Sequence, residues 1–428
     1  MSNLAYHTDP LGAGGATAEE IAQLNALRPI PRISIHAFCE TESVAKPIER
    51  AAEDRRMSKA HVRVAMGGLD GALAYYATSP TPNLIILESR AEPKDLLQSL
   101  ERLAEVCDPS TKVVIVGHYN DVWLYRELLR FGISEYIVAP VSLADIIGNI
   151  SQIFVNPESE PLGKTIAFVG AKGGVGSSTI AHNVAWTMST TFSSEVVVAD
   201  LDLPFGTANM NFDQDPAQGI AEAVFSPERI DEVYLDRLLA QCAEHLSLLA
   251  APSTLDRVYD FDPDAFAQII DTAQRSAPLL VLDVPHVWNG WTRNTLVEAD
   301  EVIITATPEL ANLRNTKNLV DTLRKLRPND KQPHLIINQA GVPKRPEISP
   351  SDFTEPLGLT PLAIIPFEPQ FFGNAANNGR MLAEMDAQHA VVRSITEIAH
   401  VITGRTEIKA RAKPGLTGIL EKLRAKKK

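Results

Sequence analysis

The residues with the most chemical promise in this 428-residue chain lie at 169–181, VGAKGGVGSSTIA. Glycines 173, 174 and 176, in a turn between an apolar strand and a helix, let the backbone approach phosphate oxygens with no Cβ in the way. The helix that follows adds unpaired N–H groups and a dipole that favours anions. The usual pattern for such a loop is G-x-x-x-x-G-K-[ST]. Here Ala171 takes the place of the first glycine and Ser177 that of the lysine, while a lysine stands earlier, at Lys172. Val175 completes the turn, Ser178 can offer a hydroxyl to Mg2+, and Thr179 can hydrogen-bond a phosphate. Two acidic segments follow: Asp200 and Asp202 in VVVADLD (196–202), and Asp283 in LLVLDVP (279–285). Apolar strands ending in Asp are how phosphate-loop proteins hold a metal, often through water. All three carboxylates are expected at the carboxyl edge of one parallel sheet, where open α/β sheets bind ligands. Taken singly, each Asp also suits a helix N-cap, and the loop also suits a tight turn with no ligand.

Positioning these groups requires a sheet, and the chain alternates apolar strands with amphipathic helices twice. ISIHAFC (33–39), HVRVAMG (61–67), NLIILES (83–89), KVVIVGH (112–118) and EYIVAPV (135–141) read as strands, with helices at 94–105, 121–131 and 143–154. After the polar, proline-bearing stretch 156–163 come TIAFVGA (165–171), EVVVADL (195–201), LSLLAAP (246–252), LLVLDVP, EVIITAT (301–307), HLIINQA (334–340) and LAIIPF (362–367), with helices at 310–327 and 386–403. Alternation of this kind predicts parallel sheets covered on both faces, and continuous Val/Ile/Leu runs are what such strands require. The fold class expected is α/β, with two doubly wound parallel-sheet domains. The divisions are a flexible arm at 1–30, a first domain at 31–155, a linker at 156–163, a second domain at 164–408 and a basic tail at 409–428.

KGGVGSST resembles the deviant phosphate loop, K-G-G-x-G-K-[ST], of the MinD/ParA family, and the likeness extends over 165–404. The resemblance implies ATP and Mg2+ as ligands, held in a homodimer. Lys172 matches the lysine that reaches across the dimer to the partner's phosphates, and Ser177 falls on the lysine common to phosphate loops. DLDLPFG (200–206) resembles the first switch, with Asp202 placing the attacking water and Asp200 supporting the metal region beside Ser178 and Asp283. IINQAG (336–341) and IPFEPQFFGNAANNG (365–379) resemble the adenine side, which implies Asn338 at the base flanked by Pro366 and Phe367. Asn338 also reads as a loop cap, and Phe367 also as core. GAKGGVGSSTIAHNVA followed by DLDLPFG is similar to the TadZ/CpaE proteins of tight-adherence (Flp) pilus systems, several of which lack the same lysine. That implies a slowly hydrolysing dimerisation switch that acts with the pilus secretion ATPase, often at a cell pole. A non-hydrolysing scaffold and a DNA-partition ATPase are the alternatives.

Residues 33–154 resemble a response-regulator receiver that has lost its chemistry. Glu88 stands at the phosphoacceptor position, Cys39-Glu40 where an acid pair belongs, Gly117 at the end of strand four, and Ala139 in place of the lysine, although Pro140 remains. Glu88 is expected to be a solvated strand-end residue in an interaction domain, or else a fixed charge that mimics an active state. His182 and His286, near the motifs, read as structural.

Composition sets the remaining bounds. With 45% hydrophobic and 22% charged residues the balance is that of a globular protein, and no apolar run is long enough to span a membrane. The first residues lack a basic region followed by an apolar core, so no signal peptide is expected. Three scattered cysteines (Cys39, Cys107, Cys242) fit a reducing, cytoplasmic setting. Net charge is −13, but 409–428 hold eight basic residues and one acid, +7, which leaves −20 on the rest. An acidic body argues against nucleic-acid binding. In the tail, Leu416, Ile419, Leu420 and Leu423 share one helix face with cations on the others, so 414–428 are expected on an anionic inner-membrane surface, on a partner, or packed on their own domain.

Overall fold

The structure is a computed structural model that describes residues 18–155, 162–255 and 257–405. Its first sheet contains β1 (Ser34–Cys39), β2 (His61–Met66), β3 (Leu84–Ser89), β4 (Lys112–Gly117) and β5 (Glu135–Val138), in the order β2-β1-β3-β4-β5. Every neighbouring pair is parallel, which is the flavodoxin-like arrangement. Period-two alternation sends Ile35, Ala37, Leu84 and Ile86 into one buried layer and Phe38, Ile85 and Leu87 into the other. Helices therefore have apolar surface to cover on both faces.

The second sheet contains β6 (Lys164–Gly170), β7 (Val196–Asp200), β8 (Ala240–Ala243), β9 (Leu246–Leu249), β10 (Leu279–Val284), β11 (Glu301–Ala306), β12 (His334–Ala340) and β13 (Pro361–Pro366). Their order is β13-β12-β11-β6-β10-β7-β9-β8. Strands β6, β10 and β11 are central; Ala167 and Val169 face one core while Ile166 and Phe168 face the other. The sheet is parallel except at its edge, where β8 runs antiparallel to β9. That edge strand, AQCA, has no Val/Ile/Leu run and gave no sequence signal.

One expectation is corrected outright. Within the supposed flexible arm, Ala18–Asn25 form a helix, and Leu24 and Ile30 are fully buried in the first core. Two apolar anchors in a short segment are too few for periodicity to reveal. Residues 1–17, most of the linker (156–161) and the basic tail at 409–428 lie outside the described residues.

The two units meet through a buried ionic junction. Arg56 donates from Nη1 to Asp54 (3.0 Å) and from Nη2 to Asp330 (2.9 Å), with only 1% of its side chain exposed. Arg55 reaches Asp330 and Asp300, both at 3.1 Å. Asn329 donates to Asp54 at 3.1 Å, and Lys59 pairs with Asp271. Asp300 in turn accepts from the backbone N–H and hydroxyl of Thr165, both at 2.9 Å, at the start of β6. The junction thus touches the strand that leads into the glycine loop.

Candidate functional site

Strand β6 ends at Gly170, and the helix Ser177–Phe192 starts after the loop. The chain turns through Gly174 and Gly176, at φ +78° and +85°, a region that L side chains rarely occupy. A Cβ on Gly176 would also stand 2.6 Å from Asn338 Nδ2, so both backbone and space demand glycine. Around Gly173 and Gly174 a Cβ would meet nothing within 4 Å; that side of the loop is open.

The loop lines a cavity of about 480 Å³ that gathers Lys172 through Thr179, Asp202, Asp283, Asn338, Pro366 and Phe367. These come from separate parts of the chain, brought to one edge because parallel strands end together there. Ser178 donates to Asp283 Oδ1 at 3.1 Å, a hydroxyl and carboxylate pair of the kind that holds Mg2+ with phosphate oxygens and water. Ser177 Oγ is buried without a hydrogen-bond partner among the described residues. A buried hydroxyl at a helix N-terminus, facing an open glycine loop, fits a phosphate group. Lys172 points to the rim, half exposed, with Nζ 3.6 Å from Glu309.

Asp200 is placed differently from the expectation that it helps hold a metal. It is fully buried beneath the cavity rather than lining it. Its Oδ1 accepts from the Asp202 N–H and its Oδ2 from the Ala208 N–H, both at 3.1 Å. It therefore anchors the 202–208 turn. Burial first, and the charge of Asp283 second, push the Asp200 carboxyl up to about 7. Asp202, by contrast, faces the cavity, and burial also raises it above the usual range.

His182 is buried, with Nδ1 2.9 Å from Asn211 and Nε2 3.2 Å from Asp283. His286 lines the cavity instead, and its Nδ1–H donates to the Gly170 carbonyl at 2.8 Å. Gln339, Glu368, Pro369 and Phe372 also line it and were missed. The signal available for them was adjacency: all lie in or beside the NQAG and PFEPQFFG segments already singled out.

In the first unit, the solvated reading of Glu88 is overturned. Glu88 is fully buried and accepts from the Glu40 N–H (2.7 Å), the Thr41 N–H (2.8 Å) and the Thr41 hydroxyl (2.6 Å). His118 Nε2 lies 3.0 Å away. Burial alone would raise this carboxyl; the bonds from Thr41, His118 and Glu40 outweigh it and hold Glu88 below the ordinary range. Thr41 is the N-cap of the helix Glu42–Ala52 and caps nothing with its own side chain. The carboxylate from β3 instead holds the N-cap residue and the one before it, fastening the start of the helix to the strand end.

The AAA domain family profile matches residues 163–337. The pilus assembly protein CpaE of Caulobacter crescentus CB15 has a crystal structure that is 47% identical over 98% of that chain and 30% of this one, with a TM-score of 0.30. The relation rests on that identity. The septum site-determining protein MinD of Helicobacter pylori is 25% identical over 243 residues, 53% of this chain and 85% of that protein. MinD of Pyrococcus horikoshii OT3, complexed with Mg-ADP, shares the fold at a TM-score of 0.51 and 19% identity, over 58% of this chain and 100% of that one.

Proposed function

The chain belongs to the family of CpaE pilus assembly proteins, with a receiver-like domain before a MinD/ParA-like phosphate-loop domain, and from that premise we propose that it is an ATP-binding, slowly hydrolysing dimerisation switch that localises and helps assemble a pilus secretion machinery. The observation that carries the proposal is the open glycine loop, with the unpaired Ser177 hydroxyl at its end and the Ser178–Asp283 pair beside it.

In this reading the loop N–H groups and Ser177 to Thr179 bind the phosphates. Mg2+, when bound, would neutralise phosphate charge, and Ser178 and Asp283 are the groups to hold it. Asp202, which faces the cavity, orients water. Lys172, half exposed at the cavity with Nζ 3.6 Å from Glu309, would exchange that contact for the phosphates of a second subunit. Pro366 and Phe367 form the base side. The dimer is supported by apolar residues exposed around the site: Phe205 at 72%, Trp288 at 51% and Leu310 at 73%. Covering them with a second subunit would take apolar surface out of water. Without a lysine at 177, one stabilising contact to the transferring phosphoryl is lost, so hydrolysis is slow. Among the described residues no helix is long and apolar enough to cross a membrane; inner-membrane contact is assigned to the tail, as are polar placement and docking of the secretion ATPase to surfaces beyond the nucleotide site.

The test is Mg·ATP binding and turnover by purified full-length protein beside Lys172→Ala and Asp202→Ala. Micromolar to millimolar binding by wild type, with turnover lost in Asp202→Ala and dimerisation lost in Lys172→Ala, is the expected result. No binding at millimolar ATP would return the protein to the scaffold reading.

A further inference from the structure

Three amide side chains grip the carbonyl side of the glycine loop from outside it. Asn338 Nδ2 donates to Val175 O at 2.8 Å, Gln339 Nε2 to Gly174 O at 3.1 Å, and Asn315 Nδ2 to Ala171 O at 2.9 Å. Asn338 and Gln339 end β12, and Asn315 lies on the helix Leu310–Leu326.

A trans peptide points its N–H opposite to its C=O. Holding the carbonyls of Ala171, Gly174 and Val175 inward therefore turns the N–H groups of Lys172, Val175 and Gly176 outward. None of those three N–H groups donates to a backbone or side-chain acceptor among the described residues. Successive free N–H groups of this kind form an anion-binding concavity. The side chain at 177 does none of this holding, since Ser177 Oγ has no partner.

We propose that Asn315, Asn338 and Gln339 are positioning residues that hold the phosphate loop in its anion-binding form before any nucleotide arrives, and that Asn338 acts on the loop rather than on the base. The proposal rests on the nucleotide-site reading for its ligand, and it reassigns the role that the family resemblance implies for Asn338. Its physical logic is preorganisation: amides fixed on a strand end and a helix order the loop in advance, so phosphate binding does not have to. The close approach of Asn338 to Gly176 is part of the same fit, because a methyl group at 176 would displace the amide.

Two measurements test it on the full-length protein. The first is hydrogen exchange of the 172–177 amides without nucleotide, in wild type and in Asn315→Ala, Asn338→Ala and Gln339→Ala. Loss of one anchor is expected to speed loop exchange by about tenfold, the equivalent of one hydrogen bond, with exchange elsewhere unchanged. Loop exchange equal to wild type in all three variants overturns the proposal. The second is binding of ATP, GTP and inorganic pyrophosphate. Asn338→Ala is expected to weaken ATP and pyrophosphate by the same factor, about tenfold, and to leave the ATP-to-GTP preference as it was. Intact pyrophosphate binding with a collapsed base preference would assign Asn338 to the base and overturn its reassignment. Should Asn338→Ala not fold, Gln339→Ala at the more open position decides the loop question. Wild type that binds neither ATP nor pyrophosphate would sink the nucleotide-site reading, while the exchange experiment still decides whether the amides position the loop.

Discussion

Asp200 and Asp202 sit two residues apart, yet one lies under the cavity and the other faces it. The difference is where β7 stops: Asp200 is its last residue, and the chain then turns on the carboxylate it leaves behind. Because the native carboxyl is raised to about 7 from an ordinary 3.8, the folded state binds a proton there that the unfolded chain has already released. Its contribution to stability is full below about pH 4 and is lost as pH rises through about 7. Asp200→Asn is expected to flatten that part of the pH profile in urea unfolding of the metal-free protein. The amide also faces a backbone N–H, which costs a hydrogen bond at every pH, so the slope between pH 4 and 7 is the readout. An unchanged slope would show that Asp200 is ionised in the native state.

Among the elements, the helix Glu42–Ala52 depends on a residue that belongs to another element. Glu88 of β3 accepts from Glu40 and Thr41 at its start, so a strand end and a helix terminus are fastened where a receiver would carry phosphoacceptor chemistry. Glu88→Ala leaves buried donors without an acceptor, and the expected loss is on the order of 3 kcal/mol in urea unfolding of the first unit. Glu88→Gln, which keeps one acceptor oxygen, is expected to recover part of it. Stability of the alanine variant within a few tenths of a kcal/mol of wild type would mean that water replaces the carboxylate. The lowered pKa of Glu88 adds that wild type loses this support only as pH falls below the ordinary glutamate range.

At the scale of the whole molecule, the Arg55–Arg56 turn makes the two units one body. Arg56 and Asp330 expose 1% and 2% of their side chains, and an ion pair so buried costs about 3–5 kcal/mol when one member is removed, because the other is left charged and unpaired. Arg56→Met is expected to split thermal unfolding into two transitions and to raise the radius of gyration in X-ray scattering. A single transition at the wild-type temperature would show that the remaining contacts suffice. Through Asp300 and Thr165 the junction also abuts the first residues of β6, so loosening it is felt on the strand that carries the glycine loop.

Much of this was legible in one dimension. The strand ladder came from continuous Val/Ile/Leu runs, because strands buried on both faces admit little else. The loop came from glycines at 173, 174 and 176, because backbone approach to an anion is a local requirement that leaves a local mark. Asp283 and Asp202 followed because strand ends are readable. Tertiary structure alone decided the rest. It buried Glu88 where a strand-end residue was expected in solvent, since whether a strand end is covered depends on a helix terminus from β1's side of the sheet. It paired Arg56 with Asp330, 274 residues apart, and set Asn315, Asn338 and Gln339 on the loop's carbonyls from more than a hundred residues away. Sequence records what each residue can do with its own backbone and near neighbours; which distant partner meets a charge or an amide is settled only when packing brings strand ends and helix termini to the same place.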